Sequence, residues 1–396
     1  MQRKRNSTFR PSPQPSPPST REREHEETPN VTIIGAGPAG SVAAILLARG
    51  GWDVTLLEQH RFPRDKVCGE CLSALGIDVL ERIGLGDRLR ALRPVNLTKA
   101  ILHAGNGDFA ITPLPRPMLG ISRAVFDQFL LDEAQRAGTR VLQPARCEGL
   151  EPTRTGARLR VRDLQRNTVE TFEAAHVIVA DGKSALPGPT PKYTGDFGIK
   201  SHWEGISGER DAIELFGCRG CYGGLAPIEG GRWNAAFSVP AERLRAHSGN
   251  LDALFAELIS ENAGLARRLK GATRAGDWLA APLPRFAVRR AWPAGVVPVG
   301  NAAAAIEPIG GEGMGLALRS AELAVNSLIA SEGIDAKDQR SRLRRDYGAL
   351  WRIRRAACRA GARVVSSRMM AAISTEVLNS HARSGVLAMK LMGKSG

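Results

Sequence analysis

The sequence predicts an α/β fold in which a doubly wound unit is interrupted by an inserted mixed-sheet domain and followed by helices. Three observations predict it. Val31-Thr32-Ile33-Ile34 is a short buried-strand pattern that runs into a glycine-rich turn and then into apolar residues at helical spacing. Alternating, strand-like runs recur at Phe197 to Trp203, Ile213 to Phe216 and Trp233 to Val239, with a helix pattern near Leu251 to Ile259. Beyond residue 336, apolar side chains stand at helical intervals among arginines. The expected organisation is a disordered tail at 1–29, the doubly wound unit at 30–190 and 291–335, the inserted cap at 191–290, and a basic helical region at 336–396.

Composition bounds this reading. A chain of 396 residues, 43% hydrophobic and 24% charged, suits a globular protein of two or three units. No apolar run approaches the ~18 residues that span a bilayer. The tail, with its Pro/Ser-rich Pro11 to Ser19 and mixed charges at Arg21 to Glu27, offers little to bury and no secretory pattern. Six cysteines, at 68, 71, 147, 218, 221 and 358, lack the density of a disulfide scaffold, so a reducing, cytoplasmic setting is expected. Cys68/Cys71 and Cys218/Cys221 share C-x-x-C spacing, but the pairs stand too far apart for one local zinc site, and no metal is expected.

The strand, turn and helix come first. In Gly35-Ala36-Gly37-Pro38-Ala39-Gly40, Gly35 permits the turn, Gly37 lets a pyrophosphate approach the backbone, and Gly40 lets the helix pack on the strand. The phosphates then lie at the helix N-terminus. A second strand, Asp53 to Leu57, ends in Glu58, where a ribose-binding acid belongs. This Rossmann-like unit binds FAD or NAD, because a carboxylate there repels a 2′-phosphate.

Four further elements resemble the flavoprotein family that includes geranylgeranyl reductases and aromatic hydroxylases of the para-hydroxybenzoate hydroxylase type. They are Lys66-Val67-Cys68-Gly69-Glu70; Ile121-Ser122-Arg123-Ala124-Val125-Phe126-Asp127, leading into a helix; the apolar strand His176 to Ala180 ending in Asp181-Gly182, with Lys183-Ser184 following; and Gly300-Asn301-Ala302-Ala303 with Glu307-Pro308-Ile309-Gly310-Gly311-Glu312-Gly313-Met314. The resemblance implies FAD as cofactor and NAD(P)H as reductant. It implies a cofactor site of Gly35, Gly37, Pro38, Ala39, Gly40, Glu58, Lys66, Cys68, Gly69, Arg123, Asp181, Gly182, Gly300, Asn301, Gly311, Gly313 and Met314. Cys68, Pro308 and Gly311 are implied to be the catalytic residues. Arg123 stands in a first helical turn, where the helix dipole favours acids, so its reason lies outside the helix. Asn301 replaces the family's usual aspartate, exchanging a charge-assisted hydrogen bond for a neutral one.

The cap names no substrate. Cys221-Tyr222-Gly223-Gly224-Leu225-Ala226-Pro227 lies where geranylgeranyl reductases carry an aromatic motif, without its tryptophan and phenylalanine, and the halogenase W-x-W-x-I-P signature is absent. Tyr222 and Trp233 are expected to pack the cap sheet. With no nucleophile motif there, the flavin is expected to carry the chemistry. The expected activity is an NAD(P)H-dependent monooxygenase of a hydrophobic or aromatic small molecule, followed by a reductase of C=C bonds in a lipid-like substrate, then a non-catalytic flavin scaffold.

Of the net charge of +15, 13 Lys/Arg against Asp346 and Glu376, or +11, fall between Arg340 and Gly396. Trp351, Ile353, Val364, Val365, Met369, Met370 and Ile373 are interspersed among them. A helical face on the protein itself, on an anionic membrane surface or on an acidic carrier protein is expected, and no nucleic acid.

Overall fold

The computed structural model describes residues 29–182, 186, 195–284, 288–289, 291–330 and 336–394. The expected tail up to residue 28 and the Lys183-Ser184 pair lie outside the described residues.

Asn30–Ile34 is the central strand of a five-stranded parallel sheet, ordered Val296–Pro298, His176–Val179, Asn30–Ile34, Asp53–Leu57, Arg140–Leu142. Strands covered on both faces read as continuous apolar runs, as Val31 to Ile34 and Val177 to Val179 do. From the central strand the chain runs outward through Asp53–Leu57 to Arg140–Leu142, then returns to the other side through His176–Val179 and Val296–Pro298. The order therefore reverses at the carboxyl end of Asn30–Ile34, which is where such sheets bind ligands.

Helix Pro38–Arg49 packs against Gly313–Ile329 and Arg123–Arg136 on one face of this sheet. Val42, Ile45, Leu47, Phe126, Leu130, Leu316 and Leu318 are buried in one cluster there. The other face is covered by the antiparallel meander Ala145–Pro152, Ala157–Asp163 and Thr168–Ala174.

The cap is a nine-stranded mixed sheet. Its strands run Thr273–Arg274, Asp196–Glu204, Trp233–Pro240, Cys221–Pro227, Ala212–Cys218, Val95–His103, Phe109–Gly120 and Cys71–Leu72, with Leu279–Pro282 also on Asp196–Glu204. The sheet thus reaches beyond the 191–290 stretch and takes three strands from between residues 71 and 120. Ala212–Cys218 joins Val95–His103 in parallel and so welds the two contributions together. Phe216, Trp233 and Phe237 bury one face under Phe255 and Leu258 of helix Leu251–Glu261. Trp233 is therefore a packing residue.

Helix Ala336–Ser366 follows, anchored by Tyr347 and Trp351. Their rings meet edge to face at 5.3 Å, and the Tyr347 hydroxyl donates to Pro298 O at 2.8 Å. Helices Arg368–Ser380 and Ala382–Leu391 lie against the Phe109–Gly120 strand.

Candidate functional site

The glycine turn has the geometry its spacing demands. Gly35 has φ +100°, and a Cβ there would lie 2.6 Å from Ala180 O; a Cβ on Gly40 would lie 1.9 Å from Gly35 O. Both approaches are backbone against backbone, so only glycine fits. Gly37 differs, because a Cβ on it would have the Arg123 Nη2 at 4.0 Å as its nearest neighbour. Space is thus left open at the N-terminus of helix Pro38–Arg49, whose first N–H groups have no side-chain cap.

Cations converge on that space. Arg123 is buried and its guanidinium donates to both Asp127 oxygens at 2.6 and 2.7 Å, which fixes it toward Gly37. Arg64 lies 3.6 Å from Asp127 and 4.0 Å from Glu58, with its Nε buried and without a hydrogen-bond partner. Lys66 Nζ stands beside Gly182, 3.1 Å from where a Cβ would be. Burial, with Arg123 and Arg64 adding to it, lowers the Lys66 ammonium to about 8. Three cations with Asp127 and Glu58 as counter-charges, facing an open glycine turn, fit a pyrophosphate. Glu58 is buried and accepts from the Ala36 N–H at 2.9 Å and the His60 N–H at 2.8 Å. A carboxylate has lone pairs to spare for ribose hydroxyls.

The distant elements close on the same cleft. Asp181 and Gly182 follow the strand beside Gly35, and Gly182 has φ +75°. Gly300 has φ +58°, donates its N–H to Ser320 Oγ at 2.8 Å, and would place a Cβ 3.1 Å from Ala39 Cβ. Asn301, next in the chain, is exposed. Gly311 has φ +61°, and Gly313 opens helix Gly313–Ile329 with nothing within 4 Å of where its Cβ would be. That helix start has no side-chain cap, so its orphan N–H groups are available to a flavin's pyrimidine edge. Met314 is buried behind it.

Beside Gly311 lies an apolar cavity of about 130 Å³ walled by Val67, Cys68, Cys71, Tyr222, Leu225 and Phe237, among others. Pro308, Gly69 and Lys394 also border it. Tyr222, buried, donates its hydroxyl to Glu307 Oε1 at 2.5 Å, and both residues line a second cavity of about 350 Å³ that Arg359 and Arg363 also border. Tyr222 therefore separates the apolar chamber from an outer one. Burial raises the Glu307 carboxyl above its ordinary range, and burial with the adjacent Glu307 raises the Tyr222 phenol. Lys394, nearly at the end of the chain, brings its ammonium to Gly310 O and within 2.8 Å of Met118 Sδ, with the buried Glu312 3.8 Å away. Burial pushes the Cys71 thiol up to about 12.

The loop carrying Lys66 to Gly69 is tied to the cap by a buried charge cluster. Glu70, at φ +56°, accepts from the Arg123 N–H at 2.8 Å and from Lys200 at 2.5 Å, and pairs with His202 Nε2 at 2.7 Å. Lys200 also meets Asp65 at 2.9 Å. Asp65, Glu70 and His202 are spaced to hold a cation, and the Lys200 ammonium already sits among them. Asn234 completes the tie, donating to Cys68 O at 3.0 Å.

The structure gathers Gly35, Gly37, Gly40, Glu58, Lys66, Arg123, Gly182 and Gly300 around the glycine turn, and Cys68, Gly69, Pro308 and Gly311 around the adjacent chamber. Arg123 gains its reason outside the helix in Gly37 and the cation cluster. Sequence reasoning named Cys71 and Glu307 only within their motifs, without a role, missed Lys394, and expected Tyr222 to pack the cap sheet. Asp127 was legible as an i, i+4 partner of Arg123.

Comparison with known proteins fits this geometry. Residues 28–204 match the FAD binding domain family. The menaquinone reductase of Mycolicibacterium smegmatis is 28% identical over 352 residues, covering 81% of this chain and 79% of its own. Digeranylgeranylglycerophospholipid reductase 2 of Methanopyrus kandleri is 27% identical, covering 81% and 82%. Among solved structures, the flavin-dependent brominase Bmp2 superposes with a TM-score of 0.75 over 92% of this chain and 93% of its own, at 17% identity, a likeness of fold. The glycine turn, the distant Gly300 and Gly311 loops, the FAD binding domain over residues 28–204 and these relatives agree: the chain is an FAD-dependent oxidoreductase, similar along most of its length to reductases of menaquinone and of digeranylgeranylglycerophospholipid.

Proposed function

We propose that the protein reduces a C=C bond or a quinone ring in a lipid-like substrate, with NAD(P)H as electron source. The observation that carries this is the apolar chamber beside Gly311, with Tyr222 in its wall and Glu307 behind it on the outer cavity. Two relatives matched over about four fifths of this chain are reductases of such lipids by name, which supports reduction over the oxygen insertion ranked first from sequence.

FAD, when bound, supplies hydride-transfer chemistry. Gly37 and the first turn of helix Pro38–Arg49, with Arg64, Lys66 and Arg123, hold its pyrophosphate. Glu58 takes the ribose, and Asn301 and the Gly311–Met314 turn take the ribityl and pyrimidine parts. The apolar walls exclude water from the reacting face. Addition of hydride to a double bond requires a proton on the neighbouring atom. Tyr222, whose side chain borders both cavities, supplies that proton and is left as the phenolate, and Glu307, its carboxyl raised by burial and bordering the outer cavity, then returns a proton to it.

Oxygen dependence tests the reading. Anaerobic NAD(P)H oxidation with a prenylated quinone or a polyprenyl lipid, at the aerobic rate, is the expected result. Turnover that stops without oxygen contradicts reduction and restores the monooxygenase reading.

A further inference from the structure

We propose that the last two helices seat the protein on an anionic lipid surface, with the chamber's rear wall attached to that seat. In Arg368–Ser380, Met369, Ile373 and Val377 recur every four residues and all face solvent, with Met370 beside them; Met369 is 68% exposed. In Ala382–Leu391, Leu387 and Leu391 do the same, Leu387 at 59%. The strand beneath supports the pair, with Asn379 Nδ2 donating to Phe109 O at 3.0 Å and Gly385 seated on Thr112. Six large apolar side chains are thus exposed on one helix pair. Scattered exposed apolar residues are ordinary, but contiguous groups of them mark interaction surfaces.

Charge selects the occupant. Arg383 stands four residues before Leu387 and Lys390 three after it, and Arg368 precedes Met369. On the two helices Glu376 is the one acid, against Arg368, Arg383 and Lys390. A second copy placed face to face would bring these cations together, which is costly. A bilayer with anionic headgroups takes both features at once, apolar side chains into the acyl boundary and cations among the phosphates. No helix of the described residues is long and apolar enough to cross a membrane, so the seat lies in the interface plane.

The seat reaches the reaction chamber directly. Met389, on the same helix as Leu387 and Leu391, packs among Cys71, Leu97, Leu114 and Met118, and Lys394 three residues after that helix borders the cavity. A substrate dissolved in the bilayer would therefore meet the protein on the side where the chamber wall is anchored.

The test is flotation of the full chain, loaded with FAD, on phosphatidylcholine vesicles with and without about a quarter phosphatidylglycerol. Binding to the anionic vesicles alone, weakening with salt, is expected. The double variant Ile373→Glu/Leu387→Glu is expected to partition at least about tenfold less. Retained flavin absorbance and circular dichroism would show that it is folded. Arg383→Glu/Lys390→Glu, which leaves the apolar stripe intact, is expected to lose the preference for anionic lipid. The proposal is overturned by a wild-type chain that stays off anionic vesicles at low salt, or by folded variants that float like wild type. It is equally overturned by a solution dimer that Ile373→Glu splits and that ignores vesicles.

Discussion

Gly37 and Gly40 lie three residues apart in one turn, yet replacing each with alanine should have opposite consequences. At Gly40 the new Cβ would come 1.9 Å from Gly35 O and 3.1 Å from Ala180 Cβ, so helix and strand must separate. Overpacking of this kind costs about 1–3 kcal/mol or more, and Gly40→Ala should lower the melting temperature even without flavin. At Gly37 the backbone is ordinary, φ −68° and ψ −179°, and the nearest atom to a Cβ is Arg123 Nη2 at 4.0 Å. Gly37→Ala should leave the flavin-free stability unchanged or raise it by up to about 1 kcal/mol through the unfolded chain. Its Cβ would nevertheless occupy the approach of the pyrophosphate. Displacing one charge-assisted hydrogen bond costs about 1.5–3 kcal/mol, or about 10- to 150-fold in FAD affinity. Thermal unfolding of flavin-free protein and titration of FAD fluorescence separate the two effects. A Gly37→Ala protein that holds FAD as tightly as wild type would refute the assignment of this turn to the pyrophosphate.

Other expectations follow from the same cleft. Lys66 is held at about 8 in the folded chain against its ordinary 10.5, so between these values the unfolded state carries the extra proton and flavin-free stability rises with pH. Lys66→Met should flatten that rise in a pH series of melting curves, and wild-type FAD affinity should fall as pH passes about 8 while the variant's does not. Asn301→Asp should tighten FAD, because charge-assisted bonds are roughly twice as strong as neutral ones, and equilibrium dialysis measures it. Tyr222→Phe keeps the ring and removes the proton. Substrate KM should hold while kcat falls about 10²-fold or more, with a larger solvent isotope effect; an unchanged kcat would remove Tyr222 from proton delivery.

The parts legible in the sequence were those whose physics is local. Gly35 to Gly40 and Glu58 declare themselves because turn, helix start and ribose acid are read within one strand–helix–strand unit. The cap strands at 196–204, 212–218 and 233–240 were legible from alternation. The chamber was not, because its walls meet only in three dimensions. Tyr222 and Glu307 are 85 residues apart, and Lys394 reaches Gly310 across 84. Neither pair has a spacing that a local pattern can carry. Lys66 to Glu70 was legible by resemblance, whereas Glu70's partners Lys200 and His202 sit on a cap strand whose alternation says nothing about what it faces.

The interleaving of the two sheets has a consequence for how the chain is made. The parallel sheet receives its last strand, Val296–Pro298, only after the cap strands have been synthesised, while the cap sheet uses Val95–His103 and Phe109–Gly120, which leave the ribosome far earlier. Until residue 298 appears, the edge of His176–Val179 is unpaired, and until residues 212–218 appear so is Val95–His103. Long-range pairing of this kind is slow to form, and exposed edges invite association in the meantime. Biogenesis should therefore be the vulnerable stage, with ribosome-stalled chains ending before Val296 far more prone to aggregate than the finished protein.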